Sequence, residues 1–191
     1  MTLGKKRNLI NKMCKGDFII YFDDDDYYPP NKITYSVKSL LANPDYLIGG
    51  SSIMNIYFPK INKIYQSGPY GEFHATAATF IFKKELLNIT SFNDDDLLGE
   101  EKVFLKNYTI PLLQLEPTNV ILVIAHSQNS FDKYKLLENM ENNKISSTKY
   151  ILEDLIKKKE LQLFYSLTLH NLLNNYSLGK GENKKEIGID G

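Results

Sequence analysis

The sequence lacks three features that would assign it quickly to a class. Its 191 residues contain a single cysteine, Cys14, which excludes an internal disulfide and fits a reducing compartment. Acidic and basic residues balance at 23 each, which argues against a general nucleic-acid binder, because such proteins need a basic surface. The longest purely apolar run, residues 120–125, is too short to span a bilayer. We therefore expect a soluble cytoplasmic protein, in the host cytoplasm if it is viral, with no membrane span and no nucleic-acid partner.

One stretch, residues 18–30, has the sequence FIIYFDDDDYYPP, in which an apolar run leads directly into consecutive aspartates. A short apolar run bounded by turn formers predicts a buried strand, and open α/β sheets bind ligands where such strands end. Adjacent carboxylates repel one another, so a divalent cation is the simplest counter-charge. In an extended chain Asp23 and Asp25 would face one side, and Asp24 and Asp26 the other. One pair could then chelate a metal ion through oxygen.

Two other structures also place acidic residues in such a stretch. Aspartate is common in turns, and Pro29 and Pro30 would end any regular element, so the stretch could be a solvated acidic turn. An EF-hand loop counted from Asp23 needs glycine at its sixth position and glutamate at its twelfth, where this sequence has Tyr28 and Thr34. The EF-hand is therefore disfavoured, whereas the turn and the metal site both stay open.

The rest of the chain alternates predicted helices and strands, which indicates an α/β fold. Helical spacing predicts helices over 3–15, over 32–41 and around the segment LLGEEKVFLKNY. Short apolar runs predict strands over 18–22, 46–57 with an interruption at Gly49-Gly50, 63–66, 76–82, 110–115 and 120–125. Apolar stripes predict further helices after residue 132. The expected organisation is one domain over residues 1–132, a helical extension over 133–176 and a disordered tail over 177–191.

The segment KKRNLINKMCKGDFIIYFDDDDYYPPNKI resembles the helix, strand and acidic DXD loop of GT-A glycosyltransferases of the family 2 type, and the resemblance spans residues 3–133. It implies a Rossmann-like mixed sheet flanked by helices. It also implies that Asp23 and Asp25, with Asp24 between them, hold Mn²⁺ or Mg²⁺ against the diphosphate of a nucleotide sugar, with a UDP-sugar as the first expectation. Lys6 and Arg7 fall on the helix that flanks the nucleotide in such enzymes.

Three further segments carry the resemblance. LLGEEKVFL resembles the motif whose carboxylate deprotonates the acceptor hydroxyl, with Glu101 at the base position and Glu100 beside it, where most relatives have Glu-Asp. His126, after NVILVIA, resembles a third metal ligand, and GPYGEFHATAATF resembles a segment that shapes the sugar pocket, in which His74 is a candidate contact. On the residues alone, the two glutamates could simply favour a helix N-terminus, and His126 could be structural.

One departure from the family pattern bears on function. Family members begin with a strand, turn and helix that hold the nucleobase and ribose, and this sequence has none of them, so we expect an amino-terminally truncated GT-A domain. It is either a fragment of a longer reading frame or a short relative whose donor site a second copy or a partner chain completes. The implied activity is metal-dependent transfer of a sugar to a hydroxyl of a glycan or protein, with inversion. The alternative is a non-catalytic GT-A-like module that binds a glycan or a protein. A nucleotidyltransferase would need a Gly-Ser loop ahead of the acidic pair, which the sequence lacks.

Overall fold

The computed structural model describes residues 1–97, 99–129 and 131–175, which form two four-stranded sheets and a set of short helices. The helices are α1 (Leu3–Met13), α2 (Lys32–Ala42), α3 (Glu101–Phe104), α4 (Leu152–Leu155), α5 (Lys159–Leu163) and α6 (Leu169–Asn175), with a π-helical turn (Phe164–Thr168) between the last two. The strands are β1 (Phe18–Ile20), β2 (Ile48–Gly50), β3 (Met54–Phe58), β4 (Lys63–Ser67), β5 (Ile81–Lys83), β6 (Leu112–Gln114), β7 (Leu122–Ile124) and β8 (Ile145–Ser147).

The first sheet has the strand order β1-β5-β2-β6. Strand β5 is antiparallel to both β1 and β2, and β2 is parallel to β6. Strands β1, β2 and β6 therefore run in one direction, and their carboxyl ends meet at one edge of the sheet. The acidic stretch follows β1 at that edge, where α/β sheets bind their ligands.

The second sheet has the order β7-β3-β4-β8 and mixes parallel and antiparallel pairs. It corrects the prediction of one strand over residues 46–57, because β2 and β3 lie in different sheets. The chain leaves the first sheet after Gly50, where a Cβ atom would come within 2.7 Å of the Ala75 Cβ. This close approach leaves no room for a side chain at position 50, which explains the glycine. The interruption predicted at Gly49-Gly50 falls at this break.

The segment after residue 132 also differs from the helical prediction. It begins with a 3₁₀ turn over Lys133–Leu137, and β8 then pairs antiparallel with β4 as an edge strand of the second sheet. Residues 138–144 form turns, and helices occupy residues 152–155 and 159–175, so the helical prediction holds only for the later part of the segment. The polar sequence ISS has one buried residue only, Ile145, which explains why no strand was predicted. The predicted tail at 177–191 lies outside the described residues.

The core beneath the first sheet is rich in aromatic side chains. Phe80, Phe82, Phe92 and Phe104 are buried together, and the Phe92 and Phe104 rings stack at 4.2 Å. Phe104 belongs to α3, so the core anchors that short helix.

Among the described residues no helix combines the length and the apolar character that crossing a membrane requires. The predicted α/β fold with mixed sheets flanked by helices is confirmed.

Candidate active site

The acidic stretch after β1 is a turn, which corrects the extended conformation assumed from the sequence. The chain turns at Asp24 and Asp25, so the four side chains do not alternate between two sides. Asp24 is exposed, whereas Asp26 turns inward and accepts the backbone N–H of Ile124 at 2.9 Å. Burial raises the pKa of Asp26 to about 7. Asp26 is therefore used to attach the loop to β7.

Asp25 and His126 face each other across a span of 101 residues in sequence. The Asp25 Oδ2 atom lies 3.1 Å from His126 Nε2, and Asn129 Nδ2 lies 3.3 Å from the same oxygen. His126 Nδ1 accepts the backbone N–H of Gln128, which leaves Nε2 as the nitrogen that faces the carboxylate. Hydrogen bonding to His126 holds the pKa of Asp25 below its usual range. The strand ends of β1 and β7 thus bring together two of the three predicted metal ligands.

Arg7 connects the acidic loop with the Glu100–Glu101 segment. Its Nε donates to Glu100 Oε1 at 2.6 Å, and its Nη2 lies 3.8 Å from Asp23 Oδ1. The guanidinium also lies over the Tyr21 ring at 4.8 Å. Glu100 is only 3% exposed, so this pair is a buried one. Arg7 therefore joins two segments that are far apart in sequence, while Lys6 lies on the exposed side of α1.

Glu101 begins α3, which is a single helical turn instead of the longer helix predicted from LLGEEKVFLKNY. The chain leaves the helix because Lys106, Asn107 and Tyr108 all have positive φ. Glu101 is partly exposed next to buried Glu100, so the two carboxylates have different environments. Burial, together with the charge of Glu100, raises the pKa of Glu101 to about 7. A carboxylate with this pKa is suited to accept a proton near neutral pH.

The donor set at Asp25 and His126 fits a divalent metal ion. Adjacent ligands of an octahedral ion with bonds of about 2.1 Å lie about 3 Å apart, which matches the separation of Asp25 Oδ2 and His126 Nε2. One carboxylate and one imidazole form a mixed set that suits Mn²⁺ better than Mg²⁺. Asp23 is directed to Arg7 instead. Over residues 1–97, 99–129 and 131–175, no three His, Cys, Asp or Glu side chains are already grouped around a metal position.

His74 lies apart from this cluster, between the rings of Tyr70 and Tyr108, at 5.0 Å from each. Its Nδ1 is buried and has no hydrogen-bond partner among the described residues. Burial lowers the pKa of His74. The loop that contains it does line a cavity of about 570 Å³, although the residues that face the cavity are its neighbours Pro69, Tyr70, Gly71 and Glu72, together with residues 51–53 and 114–117.

Three polar residues at the site were missed by the sequence analysis. Asn129 contacts both Asp25 and His126, Lys133 lies close enough to the aspartates to influence their ionisation, and Lys32 is buried beneath the acidic loop. Burial lowers the pKa of Lys133, whereas the charges of Asp26, Asp25 and Asp23 oppose that change. The only signal in the sequence was position, since Asn129 and Lys133 follow His126 closely. Lys32 and Lys133 also supply positive charge near the aspartates, so a metal ion is not needed as their sole counter-charge.

Two comparisons with known proteins find similarity to this chain. Residues 2–92 match the family model described as glycosyl transferase family 2. Among solved structures, the chain is similar to a crystal structure of S. aureus TarS 1-349, with 19% sequence identity and a TM-score of 0.42 over 65% of this chain. The chain spans 40% of the length of that protein. A search of curated proteins finds no match. The family match confirms the predicted resemblance over residues 2–92.

Proposed function

We propose that this chain transfers a sugar from a nucleoside diphosphate sugar to a hydroxyl acceptor, with a divalent metal ion as cofactor and with inversion at the anomeric carbon. The donor we propose is a UDP-sugar, and the acceptor is a hydroxyl of a glycan or a protein. The observation that carries the proposal is the Arg7 bridge, which joins Asp23 in the acidic loop to Glu100 beside the proposed base. A diphosphate-binding loop and a base must lie close together for direct displacement.

In this proposal Glu101 is the general base. Its carboxylate takes the proton of the acceptor hydroxyl while the acceptor oxygen bonds to the anomeric carbon and the bond to the diphosphate oxygen breaks. Glu100 does not compete for this role, because it is buried and its carboxylate is engaged by Arg7. Arg7 instead holds the turn that contains both glutamates. The pKa of about 7 leaves Glu101 partly ionised at neutral pH and able to accept the proton.

Asp25 and His126 would hold the metal ion, with Asp23 nearby on the same loop. When bound, the ion supplies Lewis-acid stabilisation of the negative charge that develops on the leaving diphosphate. Neutral imidazole and an ionised carboxylate are the forms of these side chains that bind a metal ion. Asn129 contacts both ligands and keeps them facing each other.

The first test is calorimetric titration of the chain with UDP, and separately with GDP, in Mn²⁺ and in EDTA. We expect UDP to bind in Mn²⁺ only, and we expect the Asp23→Ala/Asp25→Ala double variant to lose that binding. An Asp94→Ala/Asp95→Ala double variant is the matched control, because it removes two exposed aspartates from a second acidic run. Binding that is unaffected by EDTA and by the first variant would contradict the metal site.

The second test separates an enzyme from a non-catalytic module. We expect Glu101→Gln to retain metal-dependent UDP binding while turnover of the UDP-sugar falls roughly 10²-fold or more. Glu85→Gln, an exposed glutamate in a neighbouring segment, serves as the control. If the native chain binds UDP but turns over no sugar nucleotide, with or without acceptor, the non-catalytic module is the better description. If it binds no nucleotide under any condition, the donor site is incomplete in this chain.

A further inference from the structure

Lys32 occupies an unusual position for a lysine. It lies in the first turn of α2, shortly after the acidic loop, and is only 1% exposed. Its Nζ donates to the backbone carbonyl of Tyr21 at 2.6 Å and to that of Ala78 at 2.9 Å. Lysine is almost never fully buried unless it is paired, yet Lys32 has no ion-pair partner in the part of the chain that the structure describes. Burying an ammonium group without an ion-pair partner costs free energy, which points to a specific role for Lys32.

The aromatic residues on either side of the acidic loop both pack on this ammonium group. The Nζ atom lies 4.3 Å from the ring centre of Phe22 and 3.9 Å from that of Tyr28. Phe22 directly precedes Asp23, and Tyr28 follows the last aspartate by two positions. The two rings also contact each other, at 4.7 Å between centres. The ammonium therefore holds together the two ends of the loop, through cation–π contacts that are strongest when desolvated.

A hydrogen bond extends this arrangement to the metal-binding side of the loop. The Tyr28 hydroxyl accepts the backbone N–H of Asp23 at 2.7 Å. Lys32 thus fixes the Tyr28 ring, and the Tyr28 hydroxyl fixes the backbone that enters the Asp23–Asp26 turn. Burial lowers the pKa of Lys32 to about 7, while the charges of Asp23 and Asp26 favour its ionised form. The ammonium also lies on the inner side of a loop whose aspartates repel one another.

We propose that Lys32 is a positioning residue, which acts through Tyr28 to hold the acidic loop in the conformation that directs the Asp25 carboxylate toward His126. The proposal rests on the proposed function, because it concerns the loop that would take the metal ion and diphosphate. It goes beyond that function by assigning the geometry of the loop to a residue that contacts neither the metal ligands nor the reacting groups.

Hydrogen exchange of the metal-free chain and Mn²⁺ affinity together test this role. In Lys32→Met we expect faster exchange of the Asp23 amide and a Mn²⁺ affinity that falls by roughly 10- to 100-fold, as is typical for residues that orient metal ligands. Lys38→Met, on the exposed side of the same helix, should change neither quantity. Tyr28→Phe keeps the ring beneath which Lys32 lies but removes the hydroxyl, so it should reproduce the faster exchange with a smaller loss of affinity.

The outcomes distinguish this proposal from the proposed function. If Lys32→Met folds, with native circular dichroism, and both Asp23 exchange and Mn²⁺ affinity are native, the positioning role is wrong. If Lys32→Met does not fold, Tyr28→Phe decides, and a native exchange rate at Asp23 in that variant overturns the proposal. If the native chain binds no Mn²⁺, the proposed function fails, while the exchange measurement still tests the effect of Lys32 on the loop.

Discussion

Two runs of aspartate in this chain look alike in sequence but have different surroundings. The first, Asp23–Asp26, follows β1 at the edge of the first sheet where β1, β2 and β6 end, and its neighbours include Arg7, Lys32, His126 and Lys133. The second, Asp94–Asp96, lies at the surface beside the amino-terminal end of α1, where its contacts are hydrogen bonds from Thr2, Gly4, Asn8 and Asn93.

A run of carboxylates becomes a candidate site only through the residues that pack on it. In the first run, burial and cationic neighbours give three of the four aspartates separate roles: Asp23 pairs with Arg7, Asp25 faces His126 and Asp26 attaches the loop to β7. In the second run Asp94 and Asp95 are exposed and Asp96 is partly exposed, so water screens their charges. Four substitutions test this difference, and they follow from the largest expected effect to the smallest.

Arg7→Met should have the largest effect on stability. It removes the partner of Glu100 and leaves a buried carboxylate without a counter-charge, which costs about 3–5 kcal/mol. Urea denaturation measures the change in the free energy of unfolding. Lys6→Met, at the neighbouring exposed position of the same helix, should stay within about 0.5 kcal/mol of the native value. Equal effects of the two substitutions would show that the Arg7 bridge is not what joins the segments.

Asp25→Asn should remove metal-dependent nucleotide binding with little loss of stability. Its side chain is 40% exposed, so the amide is tolerated, but a neutral ligand opposite His126 binds a divalent ion poorly. We expect the affinity for UDP in Mn²⁺ to fall by roughly 10²-fold. Asp95→Asn in the second run should bind UDP as the native chain does. A metal-dependent affinity that survives Asp25→Asn would assign the metal to other residues.

Asp26→Asn should change how stability depends on pH. Because the pKa of Asp26 is raised from 3.8 to about 7, the folded state holds a proton that the unfolded state releases, so stability falls as pH rises from about 4 to about 7. Asparagine can still accept the N–H of Ile124 and carries no charge. The metal-free variant should therefore be more stable than the native chain at pH 8, by on the order of 2 kcal/mol.

The decrease in the free energy of unfolding with rising pH should be smaller in Asp26→Asn than in the native chain. It should not disappear, because Glu101 also has a raised pKa and titrates over the same range. Denaturation curves at several pH values from about 4 to about 8 provide the measurement. The control is Asp95→Asn, which should leave the slope unchanged. A native slope in Asp26→Asn would mean that the carboxylate of Asp26 is ionised in the folded chain despite its burial.

Asp94→Ala should have the smallest effect. It removes an exposed hydrogen bond in which Asn8 Nδ2 donates to the Asp94 carboxylate at 2.7 Å. We expect a loss of about 0.5 kcal/mol in the free energy of unfolding, with no change in nucleotide binding. Chemical denaturation of the variant and the native chain measures this difference in the free energy of unfolding. A loss of several kcal/mol would show that the second run has a structural role comparable with that of the first.

The sequence by itself determined the elements whose chemistry is local. The apolar run before the aspartates specified β1, and the three- and four-residue spacing of apolar side chains specified α1 and α2 to within a few residues at their ends. The DXD loop, the two glutamates and His126 were candidates because each follows or begins a predicted element. The spacing did not show which face of a helix is buried, because α1 buries Gly4, Arg7 and Asn11 while Leu9, Ile10 and Met13 are exposed.

Only the tertiary structure decided which of these residues meet. The pairing of Asp25 with His126, the bridge from Arg7 to Glu100 and the burial of Lys32 all join positions that no periodicity relates. Strand β8 was missed for the same reason, because an edge strand with one buried residue is stabilised mainly by the neighbouring strand that it pairs with. The raised pKa values of Asp26 and Glu101 also depend on the tertiary structure, because the two carboxylates lose water only when the chain folds around them.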